Sequence, residues 1–156
     1  MSKPFTLIEE EATLSVLRTA DVLEQHALEV LKPLDLTGPQ YNVLRILRGS
    51  PDGLACGQIA ERMISRDPDI TRLLDRMEMR GLIDRERCRT DRRVITVRIK
   101  PAGLKLLAQV DPLITDSHRR TIGSLGERKM KQLIELLTEV REVITARRST
   151  TTSERK

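Results

Sequence analysis

The sequence predicts a mainly α-helical chain with one small β-wing. Three observations predict it. Apolar residues recur at steps of three and four through most of the chain, which lines them along one side of successive helices. Residues that start and stop helices punctuate those stretches. Residues 82–99 alone switch to a period of two, on both sides of a charged turn.

Taken in order, "TLIEE" opens the first helix, with Thr6 and Glu9 in capping-box spacing. Val16, Ala20, Leu23, Ala27 and Leu31 form its stripe, and Leu14, Leu17, Leu28 and Val30 widen it beyond the needs of one neighbour. Pro33 ends it. Thr37 and Gln40 repeat the cap spacing, with Pro39 in the first turn and Val43, Leu44, Ile46 and Leu47 facing inward. "RGSPDG" is a turn, and a short helix over about 56–64 buries Ile59, Ala60 and Met63.

A helix over 68–80 follows, with Asp67 as cap, Pro68 at its first position and Gly81 as its stop. Ile70, Leu73, Leu74 and Met77 form its apolar stripe, which leaves Thr71, Arg72, Asp75, Arg76 and Arg80 on the other faces. "LIDRERC" and "VITVRI" then alternate around "RTDR" as a hairpin. Pro101 opens a helix carrying Leu104, Leu107, Val110 and Ile114, bent at Pro112. Ser124 and Glu127 give a third cap spacing. The last helix has a heptad-like seam of Met130, Leu133, Leu137, Val140 and Ile144, and residues 149–156 read as a polar tail.

Composition excludes several classes. Phe5 and Tyr41 are the only aromatics among 156 residues, so aliphatic side chains must fill the core. No apolar run approaches the ~18 residues of a membrane span. The stretch "MSKPFTLIEEE" has acid where a secretion signal needs an apolar core, so a cytoplasmic protein is expected. Cys56 and Cys88 fit a reducing compartment and read as idle thiols; a redox pair is the alternative. His26 and His118 stand apart, so the spacing offers no metal site, and neither a cofactor nor a catalytic residue is expected.

Charge is informative by region. Residues 1–61 carry 5 Lys and Arg against 9 Asp and Glu, a net of −4. Residues 62–100 carry 12 against 7, a net of +5, and eleven of those twelve are Arg. Residues 101–156 carry 11 against 7, a net of +4. An arginine-rich middle points to an anionic partner met by forked geometry, phosphate or guanine.

Helix, turn, helix and charged hairpin over residues 37–99 make a winged helix-turn-helix. In that motif the second helix enters the major groove and reads bases near its N-terminus. Thr71 and Arg72 occupy that end, and Arg66, Thr71 and Arg76 are candidate phosphate contacts. A ribbon tipped by Arg89, Arg92 and Arg93 suits the minor groove, where negative potential is focused. The wide first stripe and the last seam exceed what one winged domain can cover, which predicts a dimer. A winged helix that binds a protein through the same basic face is the rival reading, and salt-dependent duplex binding separates the two.

The segment "ITRLLDRMEMRGLIDRERCRTDRRVITVRIKPAG" resembles the signature of the multiple-antibiotic-resistance regulator (MarR) family of transcription factors. Thr71, Arg72, Leu74, Asp75, Arg76, Gly81, Leu82, Arg85, Asp91, Arg92, Arg93 and Gly103 carry the likeness, which spans residues 6–147. The resemblance implies a homodimer built from residues 1–36 with 101–148, around a DNA-binding domain at 37–100. It implies a pseudo-palindromic double-stranded operator, repression, and release by a small-molecule effector or an oxidant. By position, Pro68 and Arg72 match recognition-helix contacts, Arg92 the minor-groove arginine and Arg93 a neighbouring wing contact. Asp75 matches an acid that holds a wing arginine, and Asp91 supports the wing beside it.

Three departures stand out. Lys100 replaces the usual threonine before the fifth helix. Asp67 and Asp69 flank Pro68 at the groove-facing end, where acid repels phosphate or selects cytosine. The first helix lacks the cysteine that the peroxide-sensing branch of the family carries there.

Overall fold

The structure is a computed structural model that describes residues 7–64, 69–87 and 95–153. Its elements are α1 (Ile8–Leu31), α2 (Gly38–Arg48), β1 (Leu54–Ala55), α3 (Cys56–Arg62), α4 (Ile70–Met79), β2 (Ile83–Arg87), β3 (Ile95–Ile99), α5 (Pro101–Arg120) and α6 (Glu127–Ser153). Short 3-10 turns occupy Lys32–Leu34 and Ile122–Leu125. The chain forms two compact units, one up to Ile114 and one from Thr115.

The first unit is a winged helix. Val43, Leu44 and Leu47 of α2, Ile59 of α3, Leu73, Leu74 and Met77 of α4, and Leu107, Val110 and Ile114 of α5 share one aliphatic core. These are apolar positions that helical periodicity selects; Ile46, Ala60, Met63 and Ile70, also expected inside, are only partly buried. Leu104, expected in the α5 stripe, is 44% exposed. Gly103 takes the inward position instead, because α5 comes so close to Leu82 that no side chain fits.

Helix boundaries follow local chemistry. Thr37 and Gln40 form the expected capping box: Thr37 Oγ1 accepts from the Gln40 N–H at 3.3 Å and Gln40 Oε1 accepts from the Thr37 N–H at 3.1 Å. α4 starts later than expected. Asp69 is its cap, accepting from the Arg72 N–H at 3.2 Å, and Ile70 is its first residue. Asp67 and Pro68, expected in those roles, lie outside the described residues. α4 ends as the sequence predicts. Gly81, at φ +69°, lets its own N–H reach the Glu78 carbonyl and the Leu82 N–H reach that of Met77, which closes a Schellman cap over two buried side chains.

Two other caps differ. α1 begins after Leu7 without a side-chain cap, and Thr6 lies outside the described residues. Ser124 does not cap α6; its hydroxyl donates to the Thr121 carbonyl within the 3-10 turn, and Glu127 pairs with Lys131 at 2.7 Å. The α6 backbone stays helical through Ser153, into the segment expected as a polar tail.

The ribbon has a third strand that the sequence reading missed. β1 pairs antiparallel with β3, Leu54 opposite Val97, and β3 pairs with β2, Ile83 opposite Ile99 and Arg85 opposite Val97. Two residues are too short to show a period, so β1 leaves no readable signal. The hairpin tip, Cys88 to Val94, lies outside the described residues.

In α1 and α6 much of the expected apolar stripe faces outward. Of the expected positions, Val16 and Leu17 of α1 are 49% and 59% exposed and Val140 and Ile144 of α6 are 55% and 52%; Val22, Ile134 and Leu136, outside the expected stripes, are 60–64% exposed. No helix among the described residues is long and apolar enough to cross a membrane.

Gly103 gives a sharp test of the core. A Cβ there would sit 2.5 Å from the Leu82 carbonyl oxygen and 2.9 Å from Ile99 Cγ1. Gly103→Ala should therefore destabilise by about 1–3 kcal/mol. Gly38→Ala, where nothing lies within 4 Å, should be nearly neutral. Urea unfolding of both variants checks this, and equal midpoints would show that α5 shifts freely.

Candidate nucleic-acid interface

α4 has three faces. Leu73, Leu74 and Met77 are at most 2% exposed and fix its rotation about its own axis. Helical spacing then sets Thr71, Asp75 and Glu78 on one flank and Arg72, Arg76 and Met79 on another. Asp75 and Glu78 are half-buried because β2 lies beside them, whereas Thr71, Arg72, Arg76 and Met79 are exposed.

Arg85 of β2 joins that first flank. Its Nη2 donates to Asp75 Oδ1 at 2.5 Å and to Glu78 Oε2 at 2.6 Å, and its Nε donates to the same Glu78 oxygen at 2.8 Å. The Arg85 side chain is only 23% exposed. Its guanidinium is held above its ordinary pKa, chiefly by the Glu78 hydrogen bonds and also by Asp75, while burial works the other way. The wing strand is thus clamped to the recognition helix through two carboxylates.

This refines the expectation for Asp75. An acid holding a wing arginine is present, and among the described residues its partner is Arg85, to which the sequence analysis gives no partner. The signal was legible. Period two places Arg85 on the same face as buried Ile83, turned to the helix that has just ended at Gly81.

The other sequence-derived candidates divide in two. Thr71, Arg72 and Arg76 are brought together on the exposed surface of α4. Arg72 Nε lies 3.1 Å from Asp69 Oδ2, yet its side chain stays 81% exposed and the pair is a solvated one. Arg66, Pro68, Asp91, Arg92 and Arg93 lie outside the described residues. Elsewhere on the ribbon, Arg98 of the central strand is held by Glu86 of β2 at 2.8 Å and by the Asp52 carbonyl before β1 at 3.2 Å, so it braces the sheet across its width. Asn42 Oδ1 accepts from the Ile64 N–H at 3.2 Å, fastening the end of α3 to α2.

Cys56 opens α3 and is partly buried. Burial pushes its thiol above the ordinary pKa, and the charge of Arg85 pulls it back in part. A raised pKa keeps the thiol protonated at neutral pH, the opposite of a reactive thiolate. Among the described residues no cluster of His, Cys, Asp and Glu could hold a metal ion.

The clamp should matter for stability. Removing Arg85 leaves two half-buried carboxylates without the cation they share, so Arg85→Ala should destabilise by about 1–2 kcal/mol, between an exposed pair and a buried one. Arg85→Lys should recover less than half, since an ammonium cannot reproduce the fork. Denaturant midpoints decide it; two unchanged midpoints would mean that the pair is only solvated.

Comparison with known proteins fits this arrangement. The MarR family model matches residues 36–95. A MarR transcription factor of Planctomyces limnophilus is 38% identical, with 86% of this chain and 98% of that one covered and a TM-score of 0.67. AbsC, a MarR family regulator of Streptomyces coelicolor, is 25% identical over 93% of this chain and 99% of its own, with a TM-score of 0.82. The repressor CouR, in a structure bound to a 23-mer DNA duplex, is 26% identical over 90% and 99%, with a TM-score of 0.77. With its winged helix and an arginine-bearing second helix, the chain belongs to the MarR family, which consists of transcriptional regulators and not of enzymes.

Proposed function

We propose that the chain is a homodimeric repressor that occupies a pseudo-palindromic operator and leaves it when a small-molecule or stress signal acts. The observation that carries this reading is the exposed Thr71–Arg72–Arg76 surface of α4, on a helix whose rotation the core fixes. The duplex-bound state of CouR supports it by likeness.

In this reading α4 enters the major groove. Arg72 reads a base edge, Pro68 packs against the groove, and Arg66, Thr71 and Arg76 contact phosphates. The wing arginines Arg92 and Arg93 approach the adjacent minor groove, with Asp91 and the Asp75–Arg85 pair supporting the ribbon. Residues 37–100 form the DNA-binding part. Residues 1–36 and 101–148 form the dimerisation part, which spaces two copies of α4 about one helical turn, ~34 Å, apart. An effector would act by changing that spacing. A cavity of about 450 Å³ beside α4, lined by Asp35, Thr37, Gln40, Arg76, Met79 and Arg80, is a place where a small ligand could bear on the helix.

The dimer part rests on apolar area. Isoleucine, leucine and valine left half-exposed along α1 and α6 favour association at roughly 25 cal/mol for each Å² buried. The full chain should sediment as a dimer at micromolar concentration, and a monomer there overturns this part of the reading.

For DNA binding the expected signature is a salt dependence with a log–log slope of roughly −5 to −9, from several arginine–phosphate contacts in each subunit. Operators come from selecting bound fragments out of random duplex DNA. On the selected site, Arg72→Ala should relax preference at defined positions, at about 1–3 kcal/mol for a lost bidentate contact. Arg92→Ala should cost most where the flanks are A·T-rich. Equal, sequence-blind losses would reduce both residues to phosphate contacts. A flat salt dependence in the parent would favour a protein partner instead.

A further inference from the structure

The corner between α1 and α2 contains the one non-glycine residue at positive φ among the described residues, Asp35 at φ +51°. α1 runs on into the 3-10 turn and closes there. The Asp35 N–H reaches the Lys32 carbonyl at 3.0 Å, and the Leu36 N–H reaches that of Leu31 at 3.3 Å. Leu31 and Leu36 are both buried, which completes a Schellman closure of the kind that usually takes glycine. Aspartate tolerates that conformation better than most residues but gains nothing from it alone.

Arg80 supplies what holds it. At the C-terminal end of α4, its Nη1 donates to the Asp35 main-chain carbonyl at 2.6 Å and to Gln40 Oε1 at 3.3 Å, and its Nη2 lies 3.3 Å from Asp35 Oδ2. Gln40 is the buried member of the α2 capping box, 6% exposed. One guanidinium therefore ties three things together: the end of the recognition helix, the left-handed corner that ends α1, and the cap that begins α2. Of its acceptors, the carbonyl is the close one. The Asp35 carboxylate is 96% exposed and contributes little as a charge partner.

The geometry points to Arg80 as a positioning residue: it sets where the C-terminal end of α4 sits relative to the α1–α2 corner, and so how α4 meets DNA, without touching DNA itself. This rests on the DNA-reading role proposed above. Met77, Leu74 and Leu73 stop α4 from rotating within the core that Leu31 of α1 also enters, and the Schellman cap ends it, but neither is a directed link between the end of α4 and the α1–α2 corner. The Arg80 fork makes that connection through a rigid, planar group with several donors, which an ammonium cannot imitate. α1 is a segment assigned above to the dimer, so a change there reaches α4 through this hydrogen-bonded strut as well as through the core that Leu31 shares with α4.

Arg80→Lys and Asp35→Val test this from its two sides. The lysine keeps the charge and loses the fork. Valine strongly disfavours positive φ, so it moves the carbonyl while removing no cation. Binding is measured on the selected operator and on an unrelated duplex across a salt series, at a temperature where circular dichroism shows each chain fully folded. Each variant should lose about tenfold in its preference for the operator, with an unchanged salt slope. The double variant should be no worse than the weaker single one, because both break the same strut. If Arg80 holds a phosphate instead, Arg80→Lys keeps its affinity and Arg80→Ala lowers the slope by about one. That result overturns the inference, as does undiminished operator preference in both variants. A parent chain that binds no duplex overturns the DNA reading itself, and the inference with it.

Discussion

Every side chain that α4 leaves exposed is set by which way that helix is turned. Three side chains decide that. Leu73, Leu74 and Met77 are essentially closed to solvent, and each step of a helix rotates the next residue by a fixed angle. Once those three are buried, Arg72 and Arg76 must face out, and Asp75 and Glu78 must face the strand beside them. The apolar positions therefore set the polar ones. A charged residue at Leu74 would remove the constraint that aims every exposed side chain on the helix, and not merely a packing contact.

Much of this was legible because helix rotation is written in periodicity. The α4 stripe, the stop at Gly81, the Thr37–Gln40 box and the two strands of the hairpin all follow from spacing and residue type, and they recur in the structure. What was not legible is instructive in each case. β1 has two residues and no period to read. α4 begins at Ile70 because Asp69 accepts from the Arg72 N–H; with acids at both 67 and 69, cap spacing alone does not choose between them. Gly103 displaced Leu104 from the core because the close approach of α5 to Leu82 is a tertiary fact. Arg80 looked like one more surface arginine, because its partner Asp35 is remote in sequence and is reached through a main-chain carbonyl.

The candidate site shows the same division. Residue identities on α4 were readable, and the partnerships that hold the helix were not. Arg85 bridges to Asp75 and Glu78, and Arg80 bridges to Asp35 and Gln40, so the two flanks of one helix are each secured by an arginine. A third link lies further back. Tyr41 donates to Asp111 at 3.4 Å, and Arg48 pairs with the other oxygen of the same carboxylate, which ties α2 to α5. Burial pushes the Tyr41 hydroxyl above its ordinary pKa, so it remains a donor throughout the neutral range. Arginine is thus placed in two ways in this chain: Arg72 and Arg76 are left exposed on α4, and others serve as forked connectors between elements.

That division explains why net charge alone is a poor guide to the interface. The region from 62 to 100 holds eleven arginines, but Arg80, Arg85 and Arg98 are committed to carboxylates and carbonyls. A committed guanidinium carries its charge but not its donors. It still adds to the long-range field that draws a polyanion, which falls off over a Debye length of ~10 Å at moderate salt. It cannot form the short, directed bonds that discriminate one base edge from another. In the DNA-reading role proposed above, steering and reading are therefore separable: attraction belongs to the whole arginine-rich segment, and discrimination falls to arginines not committed as Arg80, Arg85 and Arg98 are.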